Sequence, residues 1–565
     1  MLCLFFSLRL EKSKGLVLGD RILGLNQPFG LRCRIFTMGD LLPNSIIRTK
    51  GGVQMPTAKR VSFLLVLLTS TVAVAPWAHA VTCESLTFVK LPDTTITLAK
   101  SETAETYKPG KIEAQGPPLT ELPAFCRVAA EIRPIPDSKI KFEIWMPASG
   151  WNGRFMGVGN GGWSGEIWYP FMGTALRDHY ATASTDTGHE GSFRDASFAL
   201  GHPEKLVDFE YRAVHEMTIK AKAIIAAYYG AAPRFSYWDG CSSGGREGLV
   251  EAQRFPRDYD GVIAGAPANN WVPLMASGVW IWQANHSGDA VILSRDKLEV
   301  LHRGALDACD LLDTVKDGVI GNPPNCKFDP KVLRCKGEAN ANCLTGPELE
   351  AADKIYQGPN NPRTGERIFP GLEPGSELRW WMFGDGGDPA IVGSYFRYLV
   401  FKDAGWKAAS LNFDSDIAWA EKLNGRELSA NDPDLSEFFG DGGKLILYHG
   451  LTDPIIAPQN TIDYYGRVSR ESGAKAEASV RLFLAPGMDH CSGGMGPSTF
   501  DARKSLVDWV EQKKVPEMIL ADHPPEGPGA TRGPDKTRPL CAYPKIAKYK
   551  GTGSTDEASS FACMN

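Results

Sequence analysis

Apolar and polar positions alternate from about Lys139 to Pro147, with Ile140, Phe142 and Ile144 on one side of the chain and Trp145 following. A period of two marks a half-buried strand. Strand-like segments recur around residues 154–158 and 180–184. From 207 to 229 the spacing becomes helical, ends in AKAIIAAYY, and stops at Gly230, a residue suited to closing a helix. A short strand over Arg234–Trp238 then runs straight into a glycine-rich turn, and Val262–Ala264, Lys444–Tyr448 and Val480–Ala485 are further apolar runs ending in loops. Strands alternating with helices predict an α/β fold with a mostly parallel sheet and helices on both faces. Catalytic groups then belong on the loops past the carboxyl ends of the strands.

Between about residues 269 and 435 the texture changes to Trp, Gly, Asp and loop signals. Because this stretch separates two sheet-like blocks, it reads as a large lid inserted into a catalytic domain made of 81–268 and 436–565. The tail from 524 is rich in Pro, Gly and Lys and reads as a loose segment pinned by Cys541 and Cys563. Residues 1–54 lack sustained periodicity and read as a non-native upstream extension. At Met55 a secretory signal begins: Lys59 and Arg60, an apolar run over 61–74, then Ala78-His79-Ala80 as a cleavage site, so 55–80 is a signal peptide. The alternative, a membrane anchor, is disfavoured by a run shorter than about 20 residues and by the cleavage site that follows it.

Composition narrows the class. The 565 residues carry a net charge of -5, with 43% hydrophobic and 22% charged side chains, which gives no basic field for nucleic acid. Ten cysteines remain after the leader: 83, 126, 241, 309, 326, 335, 343, 491, 541 and 563. An even count in an exported chain implies disulfides, whose connectivity sequence alone leaves open. Pairing neighbours gives Cys83–Cys126, Cys309–Cys326, Cys335–Cys343 and Cys541–Cys563, with Cys241 and Cys491 remaining. Secretion or a periplasmic location follows from leader and cysteines together.

Gly240-Cys241-Ser242-Ser243-Gly244 matches G-x-S-x-G, the sharp strand-to-helix turn that projects a strained nucleophilic serine. Serine needs a positioned base and that base an orienting carboxylate. His490 follows the strand 480–485, and Asp453 lies on the loop after 444–448. The order Ser242, Asp453, His490 is that of α/β-hydrolases. The plainer reading makes Asp453 a turn cap before Pro454 and His490 an ordinary loop residue. An oxyanion hole would draw one N–H from Ser243 and another from Gly161 or Gly162 in the loop Gly157–Trp163. No G-K-[ST] follows that loop, so it is a poor phosphate cradle. Asp310, Asp313 and Asp317 sit on a loop turning at Gly318, and with carbonyls from Val315 and Val319 they suit Ca²⁺; the alternative is a solvated acidic turn.

GCSSGG, the Asp453 loop and Asp489-His490-Cys491 together resemble the tannase/feruloyl esterase family of α/β-hydrolases. That family contains fungal tannases, type B feruloyl esterases and a bacterial mono(2-hydroxyethyl) terephthalate hydrolase. Further similar segments are 151–155, Gly159–Trp163, 184–189 and 260–267, so the resemblance spans about residues 82–563. It implies a Cys241–Cys491 bridge beside the catalytic pair, a five-disulfide framework matching the neighbour pairing, and a structural lid calcium at Asp310, Asp313, Val315, Asp317 and Val319. No organic cofactor is implied. The implied activity is hydrolysis of small aromatic esters, free or attached to plant polysaccharide or polyphenol: feruloyl esterase, with tannase or terephthalate monoester hydrolase as alternatives. Trp271, Trp280, Trp282, Trp380, Trp381, Phe396, Trp406 and Trp419 could stack on planar acids or build the lid's own core. Arg379 or Arg397 could meet a substrate carboxylate or phenol. The competing class is a secreted polyphenol- or carbohydrate-binding protein without turnover; a serine peptidase is a further catalytic alternative.

Overall fold

Successive side chains of the central strands enter two different apolar clusters, and that alternation organises the molecule. Leu445 and Leu447 pack with Val262, Ala264 and Leu482 on one face, whereas Ile446 packs with Ile263 and Phe483 on the other. Strands covered on both faces are apolar throughout, as parallel strands in α/β proteins are. The computed structural model describes residues 81–103, 107, 119–384, 387–523 and 535–565. The extension and leader assigned to 1–54 and 55–80 lie outside them.

The main sheet has nine strands: β1 (Thr94–Glu102), β2 (Phe125–Ile132), β3 (Ile140–Pro147), β4 (Arg154–Val158), β5 (Ala181–Thr185), β6 (Phe235–Cys241), β7 (Gly261–Gly265), β8 (Lys444–Gly450) and β9 (Val480–Ala485). Their order is β1-β2-β3-β5-β4-β6-β7-β8-β9. The first three pairings are antiparallel, and the chain then runs parallel from β5 through to β9. Helices α1 (Tyr169–Arg177), α2 (Ala213–Tyr229), α3 (Ser243–Arg254), α5 (Pro458–Ser472) and α6 (Ala502–Gln512) pack around it, while α4 (Trp271–Ala284) belongs to the inserted segment. Apolar residues of α2, α3 and α5 join the first cluster, and those of α1 and α6 the second. Helix α2 ends where expected, at Gly230 with φ 74°, a left-handed conformation that glycine adopts without steric cost.

Residues 269–435 are mostly short helical segments around a third cluster containing Trp271, Trp282, Trp380, Phe396 and Trp406. That cluster also takes in Trp163, Phe209, Ile456 and Ala457 from the flanking segments. The loose tail expected from 524 onward is corrected for residues 535–565. Strand Lys536–Cys541 pairs with Met518–His523, because Leu540 and Ala542 are buried with Ile519 and Ala521 against the sheet. The five disulfides are Cys83–Cys126, Cys241–Cys491, Cys309–Cys326, Cys335–Cys343 and Cys541–Cys563. Among the described residues no helix is long and apolar enough to cross a membrane.

Leu447 is fully buried on a central strand. Leu447→Ala is expected to cost about 2–5 kcal/mol through lost burial and residual cavity, read from the midpoint of urea unfolding at unchanged slope.

Candidate active site

Strand β6 turns into α3 through Ser242, whose φ of 63° and ψ of -123° are costly for a residue with a side chain. Three backbone bonds hold the strain: Ser242 N donates to the Gly265 carbonyl at 2.9 Å, and Arg246 N and Ala268 N each donate to the Ser242 carbonyl at 3.0 Å. The flanking glycines have a steric reason. A Cβ at Gly240 would meet the Gly244 carbonyl at 2.4 Å, and one at Gly244 the Asn160 carbonyl at 2.9 Å. One turn into α3, Arg246 is wholly buried between the rings of Phe209 and Trp271. It donates to the carbonyls of Phe209, Glu210 and Leu428 and so ties the turn to the inserted segment.

The loop after β4 lies against the start of α3. Gly244 N donates to the Asn160 carbonyl at 2.8 Å, and Ser243 Oγ donates to the Gly162 carbonyl at 2.8 Å. Gly162 has φ 55°, and a Cβ there would lie 2.3 Å from the Phe193 carbonyl. Asn160 N is taken by Glu247 Oε2 at 3.0 Å and Trp163 N by Phe193 at 2.9 Å. The N–H groups of Gly161, Gly162 and Ser243 have no protein acceptor among the described residues. Burial raises Glu247 to about 7 against the pull of Arg246 and the Asn160 N–H. The 184–189 segment braces the same loop: His189 Nε2 donates to the Trp163 carbonyl at 2.8 Å.

Asp453 is completely buried and surrounded by donors. Its Oδ1 accepts from Ile455 N at 2.8 Å and Ile456 N at 3.0 Å. Its Oδ2 accepts from His490 Nδ1 at 2.7 Å and from His449 Nε2 at 3.1 Å. Burial pushes this carboxyl up, but His490 and the bonds from both imidazoles outweigh it and hold it well below the usual range. The acid loop and the histidine loop are laced together: Thr452 N and Oγ1 both donate to the Met488 carbonyl. A Cβ at Gly450 would lie 2.3 Å from the carbonyls of Met488 and Asp489. The Cys241–Cys491 bridge, with Cα atoms 6.0 Å apart, brings the residue before Ser242 to the residue after His490.

His449 deepens the site beyond the three residues singled out above. It is fully buried, and Nε2 also reaches the Ile456 carbonyl at 2.9 Å while Nδ1 meets Thr461 Oγ1 at 2.8 Å. Two carbonyl-type acceptors facing Nε2 put a proton there. The local signal was the HGxxD spacing of His449 and Asp453, which by itself does not say which face of the carboxylate the ring takes.

Of the eight aromatic residues noted in 269–435, Trp271, Trp282, Trp380, Phe396 and Trp406 are buried in that segment's own cluster, and Trp419 is exposed. Arg397 is paired with Asp388 at 2.9 Å. Arg379 is half-exposed and bonds Asp489 Oδ2 at 3.1 Å, which puts a guanidinium on the residue preceding His490. On the acidic loop, Asp310 accepts from the N–H groups of Asp317 and Gly318. Asp313 accepts from Val315 N and Asp317 from Val319 N, while Arg538 pairs with Asp317. Burial, reinforced by the charges of Asp317 and Asp310, raises Asp313 to about 6. The side chains of Asp310, Asp313 and Asp317 on this loop offer oxygen donors only, the type a hard cation such as Ca²⁺ takes.

A strained serine on a strand-to-helix turn, with a buried Asp–His pair bonded to it through a neighbouring disulfide, on this sheet, defines an α/β-hydrolase. The chain matches the tannase and feruloyl esterase family over residues 126–564, and it belongs to that family. It is 32% identical to feruloyl esterase B of Aspergillus niger over 463 residues, covering 78% of this chain and 87% of that one. It is 33% identical to the mono(2-hydroxyethyl) terephthalate hydrolase of Piscinibacter sakaiensis over 497 residues, covering 75% and 81%. The crystal structure of feruloyl esterase B from Aspergillus oryzae superposes with a TM-score of 0.78 at 28% identity, covering 85% of this chain and 99% of that one.

Asp453→Asn keeps the volume but loses the ionised acceptor facing two imidazoles. A loss of kcat on the order of 10⁴-fold is expected, as for an orienting carboxylate whose base adopts the wrong tautomer; ester hydrolysis beside circular dichroism of the same sample checks it.

Proposed function

We propose that the chain is a secreted serine esterase of the feruloyl esterase type, which cleaves esters of hydroxycinnamic or related aromatic acids through an acyl-enzyme on Ser242. The observation that carries this reading is the 2.7 Å bond from His490 to buried Asp453, on a loop covalently joined to the residue before Ser242. His490 takes the Ser242 proton as Oγ attacks the ester carbonyl, and Asp453 holds the imidazole in one tautomer and stabilises the imidazolium. The oxyanion rests on the Ser243 N–H and that of Gly161 or Gly162, each such donor commonly worth a factor of about 100–1,000. His490 then protonates the departing alcohol, and a water activated by the same ring attacks the acyl carbon and releases the acid. The acyl–alkoxy bond breaks as the acyl–Ser242 bond forms, and the acyl–Ser242 bond then breaks as the bond to the water oxygen forms, His490 returning a proton to Ser242 Oγ, with no redox change.

The relative that acts on a terephthalate monoester supports a second reading within the same chemistry, a monoester whose free carboxylate meets Arg379. A galloyl ester is the third, in keeping with the family's name. The ester can be free or part of plant polysaccharide or polyphenol. Export agrees with five disulfides, which persist in oxidising compartments, and with the leader at 55–80. We assign Ca²⁺ to Asp310, Asp313, Asp317 and the carbonyls of Val315 and Val319, where bound it would neutralise the carboxylates and fix the loop between Cys309 and Cys326.

Purified residues 81–565 are expected to hydrolyse methyl ferulate faster than methyl gallate, and Ser242→Ala to remove at least 10³-fold of that rate while remaining folded. Preference for gallate would make the enzyme a tannase. Inactivity of the folded, disulfide-intact protein on both, and on p-nitrophenyl acetate, would favour a non-catalytic binding protein. Chelation with EGTA is expected to lower the thermal midpoint by several degrees, restored by Ca²⁺ in the parent chain but not in Asp313→Asn; equal midpoints with and without chelator would remove the calcium assignment.

A further inference from the structure

Among the described residues, one group of three or more His, Cys, Asp and Glu side chains has ligand atoms all within 4.8 Å of one another: His215, Glu251 and Asp258. It stands apart from the residues assigned to catalysis and from the acidic loop. His215 is in the first turn of α2, Glu251 in the last turn of α3, and Asp258 in the connection from α3 to β7. His215 Nδ1 lies 2.7 Å from Asp258 Oδ2, and its ring stacks on Phe255 at 3.7 Å, which fixes the plane of the imidazole.

The unusual member is Glu251. It is 1% exposed, and neither carboxylate oxygen accepts from an N–H or hydroxyl; its one hydrogen-bonding neighbour is a second acid, Asp258. A buried carboxylate without donors is costly, and such groups are rare enough in folded proteins to need an explanation. The Lys222 ammonium does not supply one, because it donates to the Asp258 main-chain carbonyl. His215 and Asp258 keep part of their side chains at the surface, which leaves an approach from solvent.

We propose that His215, Glu251 and Asp258 form a second metal site that takes a borderline divalent cation of the Zn²⁺ class. One imidazole nitrogen with two carboxylates is a ligand set for Zn²⁺, not for Ca²⁺, which prefers oxygen throughout. Ligand atoms in a tetrahedral shell with bonds of about 2.0–2.2 Å stand roughly 3.4 Å apart, so the cluster has only to tighten. The imidazole would turn the Nδ1 lone pair to the metal with its proton on Nε2, and water would fill the fourth position. The site would clamp the start of α2 to the end of the helix that begins at Ser243.

The test is calorimetric titration of chelator-treated, dialysed residues 81–565 with Zn²⁺, in millimolar Ca²⁺ so that the acidic loop is saturated. One equivalent of Zn²⁺ should bind in the micromolar range or tighter and raise the thermal midpoint. Binding should weaken at least tenfold in Glu251→Gln and in His215→Gln, and persist in Asp313→Asn. Glu251→Gln is nearly isosteric, and circular dichroism verifies its fold. No saturable binding up to 100-fold excess Zn²⁺, or binding unaltered in both variants, would overturn the site and leave Glu251 and Asp258 as a pair sharing one proton.

Discussion

Ser242 and His490 belong to segments of chain that fold on different strands and have no local reason to meet. The constraint that brings those segments together is the bridge between Cys241 and Cys491, which spans 250 residues. Closing so long a loop in the unfolded chain removes roughly 5 kcal/mol of conformational entropy from that state. Its second effect is positional. The serine turn already carries backbone strain at φ 63°, and strained positions persist only where their surroundings over-determine them. The covalent tether, the close glycine contacts and the three backbone bonds to Ser242 together do so.

The two loops at the other end of that tether are held by hydrogen bonds and close packing. Thr452 reaches the Met488 carbonyl twice, and Gly450 leaves no space between the acid and histidine loops. Asp453 therefore receives two backbone N–H donors and two imidazole donors from loops that are tied to each other. The buried His449 ring meets the same carboxylate oxygen, Oδ2, as His490. Pre-set geometry of this kind is what lets an active site act without rearranging as charge develops.

What could be read from the chain was what is local. G-x-S-x-G states its own sterics, since each glycine faces backbone at under 3 Å. The apolar runs of β7, β8 and β9 announce parallel strands buried on both sides, and Gly230 announces a helix end. By contrast, β1 reads TTITLAKSE and alternates only between half-buried and exposed over most of its length; as an edge strand it carries little apolar signal. Arg246 and Glu251 look like surface charges on an amphipathic helix, yet both are buried. Arg246 bonds a carbonyl 182 positions away, and no spacing rule encodes a partner at that distance. The tail beyond 535 was misread for a related reason: its Pro and Gly content suggested looseness, whereas pairing with the strand 518–523 is a tertiary fact.

Trp163 sits one residue past Gly162, yet its ring is buried among Trp271, Phe209 and Tyr395, and its Nε1 donates to the Ile391 carbonyl at 3.0 Å. The inserted segment and the glycine loop thus share one apolar interior. A segment rooted this way does not swing as a unit, because moving it would pull an indole out of its own foundations and drag the glycine loop with it. The two therefore keep or lose their shape together.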